Sequence, residues 1–388
     1  MNVRIISLVS VLILFSGLSV VVFSDNSNGA DSTTTITDGT GKTFTYARPA
    51  EHIVTMGYAS TLTVAMLGET DKIIAVDTYS TYSYTKDERL AGLNALNLGS
   101  IYTSSNNDNI VAQLVQLVGK GKMSLGDTII LTTYSNALTL RDLLNGIGFD
   151  HVLVYGVPTS PITSYEQVKD FISDISVIVK GDTSSLVGNM EAVENTVING
   201  LKGTSERPPA LFVWYNKTSG YSVGNTGSIA VSLIEAAGGT NIAYSPNSAT
   251  TYGDKNTIVQ LVESHPNTII FLQDTYIKDG HTVGDFRNDV LGGDAGIPIV
   301  IVDSKWNNYD TDAASGLWVF ACALHPEIFQ GAMPSADGSS TLYVIPIQAS
   351  RAGTVGGSSS SDLALYAIAG LLVGLIILGF AYFYLRRP

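Results

Sequence analysis

The chain has 388 residues, of which 45% are hydrophobic and only 14% charged, enough apolar material for large buried sheets and too much for a disordered chain. Its 34 acidic and 21 basic residues give a formal net charge of −13. With no Lys/Arg cluster, that balance excludes a nucleic-acid-binding face.

Residues 1–30 read as a signal peptide. Arg4 is the sole charge before an apolar stretch from Ile5 to Phe23, and small residues follow as far as Ala30. No cysteine follows it, so a lipid-anchored N-terminus is not available. The chain's one cysteine, Cys322, lies in the apolar run 318–324 and reads as a buried structural thiol.

Short β-branched runs at 53–56, 73–76, 128–132, 151–155, 211–215, 268–272 and 298–302 predict strands. Helical patterns at 59–67, 110–118, 138–147 and 258–263 alternate with them. Strands alternating with helices imply parallel sheets built from βαβ crossovers. An internal echo supports two lobes of one plan: Asn109-Ile110-Val111 leads on to Asp127-Thr128-Ile129-Ile130, and Asn256-Thr257-Ile258-Val259 leads on to Asn267-Thr268-Ile269-Ile270. The expected fold is therefore α/β, with two lobes of mostly parallel central sheet at 31–182 and 208–350. One long helix, within 183–207, is expected to join them. Thr183 caps it, and Pro208-Pro209 stops its continuation. A single rigid helix predicts a small opening angle between the lobes.

Residues 351–362 form a Gly/Ser-rich tether. Residues 363–385 carry no charge and, at ~1.5 Å per residue, reach roughly 34 Å, enough for a hydrocarbon core of about 30 Å. Tyr366 lies near one end, and Tyr382 and Tyr384 near the other. Arg386 and Arg387 follow, which places the C-terminus in the cytoplasm and residues 31–350 outside. The sequon Asn216-Lys217-Thr218 is consistent with that side. The expected location is the cell membrane, with one pass and the lobes on the extracellular face. A cell without an outer membrane, such as an archaeon, suits such an anchor.

Several segments carry a family resemblance. Asp38-Gly39-Thr40-Gly41-Lys42 with Arg48-Pro49-Ala50-Glu51-His52-Ile53-Val54 forms an opening hairpin and first strand. Met66-Leu67-Gly68 with Asp71-Lys72-Ile73-Ile74-Ala75-Val76 forms a helix end, turn and second strand. Glu235-Ala236-Ala237-Gly238-Gly239-Thr240-Asn241 holds an Ala-Gly-Gly-x-Asn turn, and a closing helix ends in Leu324-His325-Pro326-Glu327. In order and spacing, over roughly 38–330, these resemble the cobalamin/iron-siderophore class of solute-binding proteins of ABC importers. The resemblance implies a bulky ligand held between the lobes, delivery to an ABC permease, and no catalysis. The chain departs from the family at its docking positions. Where a surface glutamate is usual, the nearest residues are Asn109, Ile110 and Val259. That departure keeps a second reading open, a membrane-anchored surface binding or adhesion module of the same fold without a permease.

In such a fold the ligand meets loops at the C-terminal ends of strands. The expected ligand-binding residues are Tyr58, Tyr79, Tyr82, Tyr84 and Tyr134 in the first lobe. In the second they are Trp214, Tyr215, Tyr276, Trp306 and Tyr309. Asp77, Tyr221, Asp274 and Asp310 lie in or beside the same loops. Aromatic rings offer flat apolar contact with a polar handle, although tyrosines also simply cover sheet ends. The five histidines show no metal-ligand spacing, and His265 and His325, each before proline at a helix end, read as structural. No nucleophile elbow, P-loop or H-E-x-x-H is present, so no enzyme, metal or cofactor is expected, and the chain reads as a monomer.

Overall fold

The computed structural model describes residues 33–132, 136–248 and 250–337, and the backbone of 341–342. The predicted signal peptide, tether and membrane span lie outside these residues. Among the described residues, no helix is long and apolar enough to cross a membrane.

The first lobe opens with an antiparallel hairpin, β1 (Thr34–Thr37) and β2 (Thr43–Tyr46). Its turn is tied down by Asp38. One carboxylate oxygen accepts the Thr40 and Lys42 amides at 2.9 and 3.1 Å. The other accepts the Val154 amide at 3.0 Å and pairs with Arg141 at 3.3 Å. The central sheet is five-stranded and parallel. It comprises β3 (Ile53–Met56), β4 (Ile73–Val76), β5 (Leu96–Asn97), β6 (Thr128–Thr132) and β7 (Val152–Tyr155), in the order β5-β4-β3-β6-β7. Strands β3, β6 and β7 are buried at every position, as continuous apolar runs covered on both faces should be. The covering helices are α1 (Tyr58–Met66), the short α2 (Tyr82–Thr85), α3 (Asn107–Gly119) and α4 (Ala137–Gly146).

Two helices lead to the second lobe: α5 (Tyr165–Val179) and α6 (Ser184–Gly200). The helix expected to join the lobes is α6, but it packs along α11 (Asp312–Leu324), within the second lobe. The helix that touches both lobes is α5, which meets α1 and β1 on one side and α6 and α7 (Ile229–Ala236) on the other. Its signal is present in the sequence. Ser164 and Gln167 form a reciprocal capping box, and Val168, Phe171, Ile172, Ile175, Ile178 and Val179 make a buried stripe of helical period.

The second sheet contains β8 (Pro209–Asn216), β9 (Gly220–Gly224), β10 (Thr240–Asn241), β11 (Thr251–Tyr252), β12 (Ile269–Gln273) and β13 (Ile299–Val302). Its order is β11-β9-β8-β12-β13, with β10 alongside the start of β8. Strands β8, β10, β12 and β13 run parallel, whereas β9 is antiparallel to both its neighbours, β8 and β11, so this sheet is only partly of the expected kind. Tyr221 accordingly lies within β9 and not on a loop. Helices α8 (Lys255–Ser264), α9 (Thr275–Lys278) and α10 (Val283–Val290) complete the lobe. A last short pair, β14 (Ala332–Met333) with β15 (Thr341–Leu342), is antiparallel.

One apolar core runs through both lobes. It joins Ile53, Ile130 and Leu153 of the first sheet to Phe212, Phe271 and Val300 of the second, with α5, α6 and α11 between. Residues 313–324 of α11 are all buried, and Phe320 meets Phe271 at 4.6 Å between ring centres. Burying each such side chain contributes roughly 1.5–3 kcal/mol. The outer faces of the two sheets carry separate cores. Cys322 sits inside the shared core, where burial pushes its thiol up to about 11. His325, also buried, pairs with the Gly238 carbonyl at 3.2 Å, and His265 with the Leu261 carbonyl at 2.9 Å.

Candidate functional site

The C-terminal end of β3 sets the floor. Gly57 has φ +124°, and a Cβ there would stand 2.2 Å from the Thr132 carbonyl oxygen at the end of β6. Only glycine lets the two strand ends approach so closely. The Gly57 amide donates to Asp77 Oδ1 at 3.1 Å, so the ends of β3, β4 and β6 converge on one point. Asp77 is fully buried. Burial raises its pKa, while hydrogen bonds from Ser80 and Gly57 oppose the rise. Its Oδ2 has no hydrogen-bond partner among the described residues.

Tyr58 follows directly at the start of α1. Its hydroxyl donates to Asp87 Oδ2 at 2.5 Å and accepts from Arg89 Nη2 at 3.1 Å. Burial first, and then the charge of neighbouring Asp310, raises the phenol well above its ordinary value and keeps it a donor. Asp87 is buried, and also accepts from Arg89 Nε at 2.9 Å, Arg89 Nη2 at 2.6 Å and Lys305 Nζ at 3.0 Å. Burial alone would raise its carboxyl; the hydrogen bonds from Arg89, Tyr58 and Lys305 outweigh burial and hold it well below the usual range. Arg89 reaches across to the second lobe, with Nη1 and Nη2 each 2.7 Å from an oxygen of Asp312. Asp310, fully buried beside this group, accepts the Asp312 amide at 2.8 Å through Oδ1, and its Oδ2 has no hydrogen-bond partner among the described residues. Burial, and next the charge of Asp312, raises its pKa well above the ordinary value.

The expected aromatic residues fall into three groups. Tyr309 lies at the boundary of the lobes: its ring packs on Gly156, where a Cβ would come within 2.9 Å. Trp214, Trp306 and Tyr309 are half-buried and pack on the shared core. The second group is in the first lobe. Tyr79 meets Tyr84 and Tyr102 edge-to-face, each at 4.9 Å, and Tyr82 donates to Glu88 at 2.8 Å. Tyr82, Tyr84 and Tyr102 are exposed. The third group is Tyr215 and Tyr276, which pack with Tyr221, His281 and Phe286 on the outer face of the second sheet. The alternation of side chains along β8 explains the division, because Trp214 faces the shared core and Tyr215 the opposite side. Tyr134 lies outside the described residues. Sequence reasoning passed over Asp87, Arg89, Lys305 and Asp312, whose polar stretches look like ordinary surface until folding brings them together.

A cavity of about 410 Å³ lies between the β1–β2 turn and α5, lined in part by Asp38, Tyr155, Asp170 and Asp174. Asp174 accepts from the Tyr155 hydroxyl at 3.1 Å. Burial, helped by Asp170 and Asp38, pushes its pKa up to about 7. A carboxyl raised in the folded state contributes stability that is complete below its unfolded value near 4 and is lost as pH rises through about 7. Asp174→Asn is expected to flatten the fall in urea midpoint between pH 5 and pH 8 and to be the more stable form at pH 8. An unchanged pH profile would contradict this. Among the described residues, no group of three or more His, Cys, Asp or Glu is placed to hold a metal ion.

Two α/β lobes with a helix touching both form a fold that is shared with solved periplasmic binding proteins. The chain is similar to Helicobacter pylori CeuE in a nickel–histidine complex, with a TM-score of 0.55 and 14% identity over 76% of this chain and 90% of that one. It is similar to the periplasmic haem-binding protein RhuT of Roseiflexus sp. RS-1, with a TM-score of 0.52 and 15% identity over 71% and 98%. It is also similar to the periplasmic vitamin B12-binding protein BtuF of Vibrio cholerae, with a TM-score of 0.52 and 16% identity over 73% and 99%. No protein-family model and no curated protein matches the sequence.

Proposed function

We propose that this chain is an extracytoplasmic solute-binding protein that takes a bulky ligand of the haem, iron-siderophore or cobalamin type between its lobes and serves an ABC importer. The observation that carries this reading is the convergence of Tyr58, Asp87 and Arg89 from the first lobe with Lys305, Tyr309 and Asp312 from the second at facing strand ends. Two of the similar structures are haem- and vitamin B12-binding proteins, which favours a carrier over a free-standing adhesion module. In this reading residues 1–30 direct export, residues 363–385 anchor a monomer in the membrane, and the lobes face outward. The role is binding, not catalysis.

Trp214 and Trp306, two of the three tryptophans, pack half-buried on the core that the lobes share and supply a signal. Titration of the full chain with haemin, a ferric hydroxamate and cyanocobalamin is expected to quench their fluorescence with one of the three, at micromolar affinity or better (about −8 kcal/mol). Tyr309→Ala should weaken that binding roughly tenfold or more. Absence of quenching with all three probes would overturn the ligand class.

A further inference from the structure

Four charges bridge the lobes in an alternating row: Asp312, Arg89, Asp87, Lys305. The inner two belong to the first lobe and the outer two to the second. Three of the four charges are placed by a turn of the same design, in which an aspartate accepts the backbone amide two residues on, and the Asp87 amide donates in the same way to Thr85 Oγ1 at 3.2 Å. Asp87 accepts from Arg89 at 3.0 Å, Asp303 from Lys305 at 2.9 Å and Asp310 from Asp312 at 2.8 Å. The charged groups are therefore held in position by their own loops, which lowers the entropy lost on pairing. An isolated surface pair contributes little, but this row is bidentate at Arg89 and centred on a buried carboxylate. Arg89 also bonds the Tyr58 hydroxyl, and Tyr309, in the same loop as Lys305, packs on Gly156 of the first lobe.

We propose that Asp312–Arg89 and Asp87–Lys305 form a charge latch across the cleft that must part for the lobes to separate. The idea rests on the two-lobed clamp, but it does not depend on which solute is carried, and it is tested without one. Spin labels at Asn145→Cys on α4 and Gln260→Cys on α8, in the full chain with Cys322→Ala, report the distance between lobes. A control pair at Asp71→Cys and Asn145→Cys lies within the first lobe. Lys305→Met with Asp312→Asn removes both cross-lobe pairs and leaves Tyr58, Asp87 and Arg89 together. The double variant is expected to shift the inter-lobe mean by more than about 2 Å or broaden its distribution, with the control pair unchanged. The unsubstituted latch in about 1 M salt, where screening reaches ~3 Å, should move in the same direction. Asp312→Glu, which keeps the charge, should stay near the starting distance. An inter-lobe distribution unchanged both in the double variant and in high salt overturns the latch. If the double variant disturbs the control pair, the salt series on the latch-intact chain decides.

Discussion

Replacing Gly57 with alanine is expected to cost about 3 kcal/mol or more of stability and to disorganise the floor of the cleft. Two effects add. The backbone sits at φ +124°, a conformation that side chains rarely adopt, which alone costs roughly 1–3 kcal/mol. The new methyl would also meet the Thr132 carbonyl at 2.2 Å, and that neighbour is backbone, which cannot rotate aside. Overpacking of this kind costs typically 1–3 kcal/mol more. Relief requires β3 and β6 to separate, which pulls the Gly57 amide from Asp77 and tilts Tyr58 away from Asp87. The measurement is the urea midpoint, which should fall with little change in slope, together with weaker solute binding. A Gly57→Ala chain within about 0.5 kcal/mol of the parent would refute this account of the strand ends.

Removing the carboxylate of Asp87 is expected to cost about 3–5 kcal/mol, because it leaves Lys305 and part of Arg89 uncompensated in a largely buried setting. Asp87→Asn keeps the shape and one acceptor and should cost less than Asp87→Ala. The pH dependence follows from the depressed carboxyl. Its contribution is complete above the unfolded value near 4 and drains away as pH falls through that value toward the lower folded one. The parent chain should therefore lose stability in acid below about pH 4, and Asp87→Ala should lose less over the same range. Parallel acid profiles for the two would mean that Asp87 is not the anion that holds Arg89 and Lys305.

Much of the architecture is legible because buried parallel strands need uninterrupted β-branched runs, and 53–56, 73–76 and 128–132 are found where that pattern puts them. Two features escaped for different reasons. Helix α5 carries a cap and an apolar stripe, but the louder punctuation is Pro208-Pro209, which lies beyond the end of α6 at the start of β8. Strand β9 is antiparallel because the tight Asn216–Gly220 turn folds it back on β8, and short alternating runs do not declare their direction. Position after a strand named Tyr58 and Tyr309, which the structure sets against Arg89 and on Gly156, and also Tyr215, which the pleat of β8 turns outward, and Tyr276, which packs on it from α9. The ion row could not be read at all, since Arg89 and Asp312 are 223 residues apart and Asp87 and Lys305 are 218 apart. Pairing over such distances is a product of the whole fold and leaves no local pattern.

The most direct trial of a solute held between the lobes is native mass spectrometry of the full chain purified from its own host, beside a Tyr58→Phe, Tyr309→Ala form prepared in the same way. The expected spectrum shows the parent chain carrying one additional small-molecule mass of several hundred daltons or more, absent or strongly depleted in the altered form. A parent chain at its bare mass, or an added mass retained equally by both, would contradict binding in this cleft.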